Sequence, residues 1–180
     1  FIRSYVPVPK TDPWAIRQAA ALINNAKRPF ILVGQGVELG GAQEEVRQLI
    51  ERADIPAGCT LLGLSALPSD HPLNMGMLGM HGSLANSIKT QECDVLIAVG
   101  MRFDDRITGK LSTYARQAKK IHFEIDPSEV NKNVPVDVAV LGNCKQTLAQ
   151  VLEQVKPNRH TEWIDSFGEH HEREKEAVSR

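Results

Sequence analysis

The sequence predicts an α/β fold: a three-layer, mostly parallel, Rossmann-like sheet with helices on both faces. Short all-apolar runs at residues 30–33 and 95–99 read as strands buried on both sides, and a glycine closes each. Amphipathic stretches separate such runs, which is the pattern of crossover connections between parallel strands. A chain of 180 residues suits one domain and buries enough surface to hold a core without disulfide or metal.

Residues 1–12 read as an extended linker, because Pro7 and Pro9 push their predecessors out of the helical region. Thr11 or Asp12 can cap a helix with Pro13 at its first position. Trp14, Ile16, Ala19, Ala20 and Ile23 recur at helical spacing, and the helix should stop near Lys27, before Pro29. After the strand at 30–33, residues 40–52 gather Val46, Leu49 and Ile50 on one helical side, with Ala53 just beyond. Residues 55–60 read as a second strand and 82–89 as a short helix. Three more strands follow at 95–99, 120–125 and 136–141, the last leading through Gly142 into a helix that runs to Val155. The folded domain is thus placed at 13–155. Residues 156–180 are polar and charge-mixed and read as an exposed linker or the start of a next domain, with His170 and His171 solvated.

Composition excludes several classes. A net charge of −1 gives no long-range field for nucleic acid or anionic lipid. Trp14, Tyr114 and Trp163 are sparse and not interleaved with basic residues, so no base-stacking platform is expected. No apolar run is long enough to span a bilayer. Cys59, Cys93 and Cys144 are odd in number and widely spaced, which implies no disulfide framework, no zinc or other metal site, and a reducing, cytoplasmic setting. The chain opens at Phe1, so a piece of a longer protein is expected.

In an open parallel sheet, ligands bind beyond the carboxyl ends of the strands. Five post-strand segments therefore matter. Gly34-Gln35-Gly36 lacks the third glycine of a full dinucleotide fingerprint, and reads either as a phosphate- or ring-approaching loop or as a tight strand-to-helix turn. Thr60-Leu61-Leu62 follows the second strand. Gly100 opens a run in which Arg102 and Arg106 can grip a diphosphate or carboxylate through forked contacts, with Asp104 and Asp105 holding the arginines in place. Glu124-Ile125 ends the fourth strand, where the carboxylate suits either a ribose hydroxyl or the cap of the next element. Gly142-Asn143 follows the fifth. Between these lies Gly76-Met77-Leu78-Gly79-Met80-His81-Gly82, poor as helix and as strand, and suited to a loop lying against a flat ligand.

In order, these segments resemble the central domain of the acetohydroxyacid synthase (acetolactate synthase) family of thiamine-diphosphate enzymes. The likeness runs from about Ala20 to Val155, and the pairing of the 76–82 loop with the Arg-Phe-Asp-Asp-Arg run is its most specific part. The catalytic large subunit matches. The resemblance implies a middle domain that binds FAD. Gly34, Gln35, Gly36 and Gly100 would lie by its ribityl and phosphate region, with Thr60, Leu61, Leu62, Leu78, Gly79 and Met80 along it. Arg102 would stand at the diphosphate, Glu124, Ile125 and Asn143 at the adenosine, and Asp104 would also touch the cofactor. Asn143 stands where the family usually has an aspartate. Arg106, Met80, His81 and Asp105 would line the substrate channel, where a fixed cation orients a keto-acid carboxylate.

The resemblance also implies an intact enzyme that condenses pyruvate with pyruvate or 2-ketobutyrate in branched-chain amino-acid biosynthesis. Its thiamine diphosphate and magnesium would sit in two other domains, since this chain has no Gly-Asp-Gly motif and no catalytic residue of its own. The expected partners are 2-keto acids, those two domains, a second copy in a homodimer and a regulatory small subunit, with neither nucleic acid nor membrane. Alone, the chain is expected to be inactive. The alternatives are the middle domain of a related thiamine-diphosphate decarboxylase or oxidase, or a non-catalytic nucleotide-binding module.

Overall fold

The computed structural model describes residues 6–178. Six strands form one all-parallel sheet: β1 (Pro29–Val33), β2 (Ala57–Cys59), β3 (Asn74–Met77), β4 (Val95–Val99), β5 (Lys119–Glu124) and β6 (Val138–Leu141). Their order is β3-β2-β1-β4-β5-β6, so the chain winds outward from β1 to one edge and then from β4 to the other. This is the doubly wound arrangement that the apolar runs implied. β1 and β4 lie at the centre, paired in register from Pro29↔Val95 to Val33↔Val99, and every residue of both is buried.

Alternate side chains of these strands build two cores. Ile31, Val33, Ile97, Val99, Ile121 and Phe123 face one layer of helices: α1 (Pro13–Asn25), α2 (Gln35–Leu39), α3 (Gln43–Ala53) and α6 (Cys144–Leu152). Phe30, Leu32, Leu96 and Ala98 face the other: α4 (Leu84–Glu92), α5 (Asp105–Thr108) and α7 (Thr161–Val178). α1 starts as its sequence implies, with Pro13 in the first turn and the Asp12 carboxylate accepting from the Trp14 amide. It ends at Asn25, two residues before the expected stop.

Three elements differ from the sequence reading. The amphipathic stretch at 40–52 is preceded by a separate short helix, α2, and Gly41 at φ +64° turns the chain between α2 and α3. The 76–82 segment is not all loop: its first residues belong to β3, an edge strand with glycine inside it, whose weak strand propensity hid it. The stretch read as a polar linker contains α7, which packs on α4. Trp163 and Phe167, one turn apart, are buried there, and the Trp163 indole N–H donates to the Pro29 carbonyl at 2.7 Å. Phe167 meets Phe30 edge-on at 5.3 Å, and Lys89 lies 5.1 Å above the Trp163 ring. Two anchors suffice to dock a helix whose other positions are nearly all polar, and average composition conceals them.

Candidate functional site

Because the strands are parallel, all their carboxyl ends share one edge and their exit loops share one rim. Gly34, Gln35 and Gly36 leave β1, and Thr60, Leu61 and Leu62 leave β2. Leu78, Gly79, Met80 and His81 leave β3, while Gly100, Arg102, Asp104, Asp105 and Arg106 leave β4. Glu124 ends β5 with Ile125 beyond it, and Asn143 leaves β6. Every residue singled out from the sequence as a binding candidate therefore lies along this rim.

The centre of the rim, between β1 and β4, is a backbone-to-backbone contact. The Gly34 amide donates to the Val99 carbonyl at 2.9 Å and the Gly36 amide to the Gly100 carbonyl at 2.8 Å. A Cβ on Gly36 would lie 2.6 Å from the Gly100 Cα, and Gly100 itself has φ +61°. Glycine is needed here so that two loops can touch. The amides of Gly34 and Gly36 are consequently spent inside the protein, and these two do not supply phosphate donors. The Cys144 thiol props the same loop by donating to the Gly36 carbonyl at 3.2 Å.

On the β2–β3 side, Leu61 and Leu62 stand in a 3-10 turn (Leu61–Ala66) and are 68% and 60% exposed. Met80 is 71% exposed and, on the far side, Ile125 is 43% exposed. Leu61, Leu62, Met80 and Ile125 thus turn large apolar side chains to solvent along the rim.

The loops after β3 and β4 are joined. The Met80 amide donates to the Arg106 carbonyl at 2.8 Å, and Gly79, at φ +90°, passes so close that a Cβ would sit 2.6 Å from the same oxygen. This brings Met80, Asp105 and Arg106 around one cavity of about 290 Å³, also walled by Ser87 and Thr108. His81 is exposed on the same loop.

The acidic pair acts differently from the sequence reading. Asp104 caps α5, its Oδ1 accepting from the amides of Arg106 and Ile107 at 3.1 and 3.2 Å. Among the described residues, no ion pair joins Arg102 or Arg106 to a carboxylate. Both arginines are exposed, and among the described residues neither guanidinium has a hydrogen-bond or ion-pair partner. Phe103, buried between them in sequence, anchors the run against Tyr114 and His122.

Glu124 is buried, and its Oε1 accepts from the amides of Ile125 and Asp126 at 2.9 and 3.1 Å. Burial alone would raise its pKa, but the adjacent His122 ring and those two amides outweigh it and hold the carboxyl below the ordinary value. His122 is itself fully buried, with Nε2 2.8 Å from the Met101 carbonyl and 3.5 Å from Glu124 Oε2. Asn143 caps α6, its Oδ1 accepting from the Lys145 amide at 2.9 Å.

Sequence reasoning missed Asn86. It falls in the short helix expected at 82–89, where a polar residue gives no sign of burial, yet it is 1% exposed. Its side chain holds the strand that leads into the Met80 loop.

Residues 16–151 match the family model described as thiamine pyrophosphate enzyme, central domain. The chain is 47% identical over 148 residues to a probable acetolactate synthase large subunit from Methanocaldococcus jannaschii, covering 82% of this chain and 25% of that protein. It is 47% identical over 147 residues to the acetolactate synthase large subunit of Parasynechococcus marenigrum, covering 82% and 24%. Against the acetolactate synthase large subunit of Corynebacterium glutamicum it is 42% identical over 166 residues, covering 89% and 26%. The chain thus spans about a quarter of the length of these relatives. With the doubly wound sheet, the family match over residues 16–151 shows that the chain belongs to the thiamine pyrophosphate enzyme central-domain family, and within it the chain is similar to acetolactate synthase large subunits.

Proposed function

We propose that this chain is the middle domain of an acetolactate synthase large subunit, that its rim binds FAD, and that the Met80–Arg106 junction lines the path of 2-keto acids. The observation that carries this reading is the rim's combination of two unpaired guanidinium groups with exposed apolar side chains. An extended dinucleotide with an anionic middle and flat ends matches that combination. The close glycine-to-glycine contact of the β1 and β4 loops keeps side chains out of the rim's centre.

In this reading Arg102 takes the diphosphate, since a forked cation with no protein partner is free to do so. Leu61, Leu62 and Met80 give the ring system apolar surface, with Thr60 and Gly79 alongside, while Leu78 is buried and supports the loop from beneath. Gly34, Gln35, Gly36 and Gly100 form the floor. Glu124, Ile125 and Asn143 stand at the adenosine end, and Asp104 lies along the cofactor where it caps α5. When bound, FAD supplies a flat flavin face whose redox capacity the net condensation does not use. Arg106 orients the carboxylate of the keto acid, with Met80, His81 and Asp105 shaping the passage.

The parent enzyme condenses pyruvate with pyruvate or 2-ketobutyrate. Its thiamine diphosphate, magnesium and catalytic residues lie in other domains, and a homodimer with a regulatory small subunit is its working assembly. The test is Arg102→Ala in the full-length subunit. Loss of a charge-assisted contact to phosphate is worth on the order of 2 kcal/mol, so FAD should leach out on dialysis; unchanged retention refutes the diphosphate role.

A further inference from the structure

β3 is one of the sheet's two edge strands, and one side of its backbone has no neighbouring strand to bond to. Open edge carbonyls of this kind need another donor or water. Here Asn86, from α4, reaches over the edge. Its Nδ2 donates to the carbonyls of Met75 and Met77, both at 2.9 Å. Met77 also accepts from the Ser83 amide at 3.0 Å, so strand end and helix start are tied at one atom. Gly82 makes this closeness feasible: a Cβ there would lie 2.5 Å from the Leu78 carbonyl carbon.

The orientation of the Asn86 amide is fixed by chemistry, since only its NH₂ can face two carbonyls. That leaves Oδ1 buried without a protein partner. Asn86 lines a cavity of about 90 Å³ with Thr90, Thr108 and Tyr114, a volume that accommodates a few water molecules. The cavity shares Gly79, Ser87, Ile107 and Thr108 with the one beside Arg106, so it lies directly behind that wall.

We infer that Asn86 is a positioning residue: by clamping Met75 and Met77 it sets where the Leu78–Met80 loop meets Arg106, and so fixes the wall of the keto-acid passage. The inference rests on the reading of that passage given under Proposed function. Asn86 touches neither substrate nor cofactor in this account. It acts through the loop.

The test uses the full-length large subunit. Asn86→Leu removes both donors, and Asn86→Asp keeps size and shape while turning oxygen toward the two carbonyls. Thr90→Val is the control, because it deletes a buried bond of the same helix, Thr90 Oγ1 to the Asn86 carbonyl at 2.7 Å, and leaves the clamp intact. Amide exchange in the segment 77–83 should quicken at least tenfold in either Asn86 variant relative to the segment 95–99, and not in the control. The KM for keto acid should rise severalfold with a smaller change in kcat. If 77–83 loosens no more than 95–99, or if the control loosens it equally, the clamp is refuted. If 77–83 opens selectively while KM stays put, the clamp stands and the placing of the keto-acid passage fails. Should Asn86→Leu not fold, Asn86→Asp decides alone.

Discussion

The Met80 amide donates to the Arg106 carbonyl at 2.8 Å, so the loop after β3 and the helix after β4 move as one wall. These residues are far apart in sequence, and this backbone bond joins the loops whose side chains line one cavity. Gly79 makes the bond feasible. At φ +90°, with the Arg106 oxygen 2.6 Å from where a Cβ would be, Gly79→Ala meets both strain and collision. It should destabilise the chain by about 1–3 kcal/mol, read by urea unfolding; a change under about 0.5 kcal/mol, as for an ordinary surface site, contradicts this geometry.

Arg106 makes no side-chain bond within the described residues, so its removal should leave folding stability almost unchanged. In the full-length enzyme Arg106→Ala should raise the apparent KM for keto acid by about tenfold, the loss expected for one exposed charge-assisted contact. FAD affinity should change much less. Steady-state kinetics with flavin titration separates the two, and the reverse pattern reassigns Arg106 to the cofactor.

Asn143 caps α6 through its Oδ1, a task an aspartate performs equally well. Asn143→Asp adds negative charge at a helix N-terminus, beside Lys145. Stability should rise by about 0.3–1 kcal/mol at low salt and the gain should shrink as salt is added. A loss of stability in thermal melts would show that buried surroundings, not the helix, dominate at this position.

Glu124 governs part of the acid limb. Its folded pKa lies below the ordinary value of 4.5, so its contribution is fully present above that value and disappears as pH falls through the folded one. Glu124→Gln should cost about 1.5–3 kcal/mol near neutral pH, and the gap from the parent protein should narrow progressively as pH falls below the ordinary value of 4.5. A gap that does not narrow on acidification would mean that shape, not charge, holds the turn at Ile125 and Asp126.

What the sequence disclosed follows from which signals are local. β1 and β4 are apolar throughout because both faces of the sheet are covered, and their glycines mark where the chain turns, so the fold class and the rim could be read directly. β3 was hidden, since Asn-Met-Gly-Met has little strand preference and is held by pairing with β2 and by Asn86. α7 was hidden because two buried aromatics, Trp163 and Phe167, carry its docking amid charged neighbours. At the site, the dense charge of the Arg-Phe-Asp-Asp-Arg run was visible, but its wiring was not. Asp104 bonds backbone amides where ion pairs with arginine were expected, because a capping geometry two and three residues ahead is closer to hand than a flexible guanidinium. The Gly34–Gly36 loop likewise gives its amides to Val99 and Gly100, a contact set by the adjacency of β1 and β4 that no linear pattern displays.

The most direct measurement is a titration of FAD into the isotope-labelled 180-residue chain, followed by amide chemical shifts. Binding should be weak, because a pocket draws affinity from all its walls and this chain supplies one of them. The perturbed amides should map to Leu62, Met80, Arg102, Ile125 and Asn143 along the carboxyl rim, and Arg102→Ala should abolish them. Shifts gathered instead around Lys27, Arg159 and His160, which line a cavity of about 600 Å³ at the opposite edge of the sheet, or no shifts at millimolar FAD, would contradict the account.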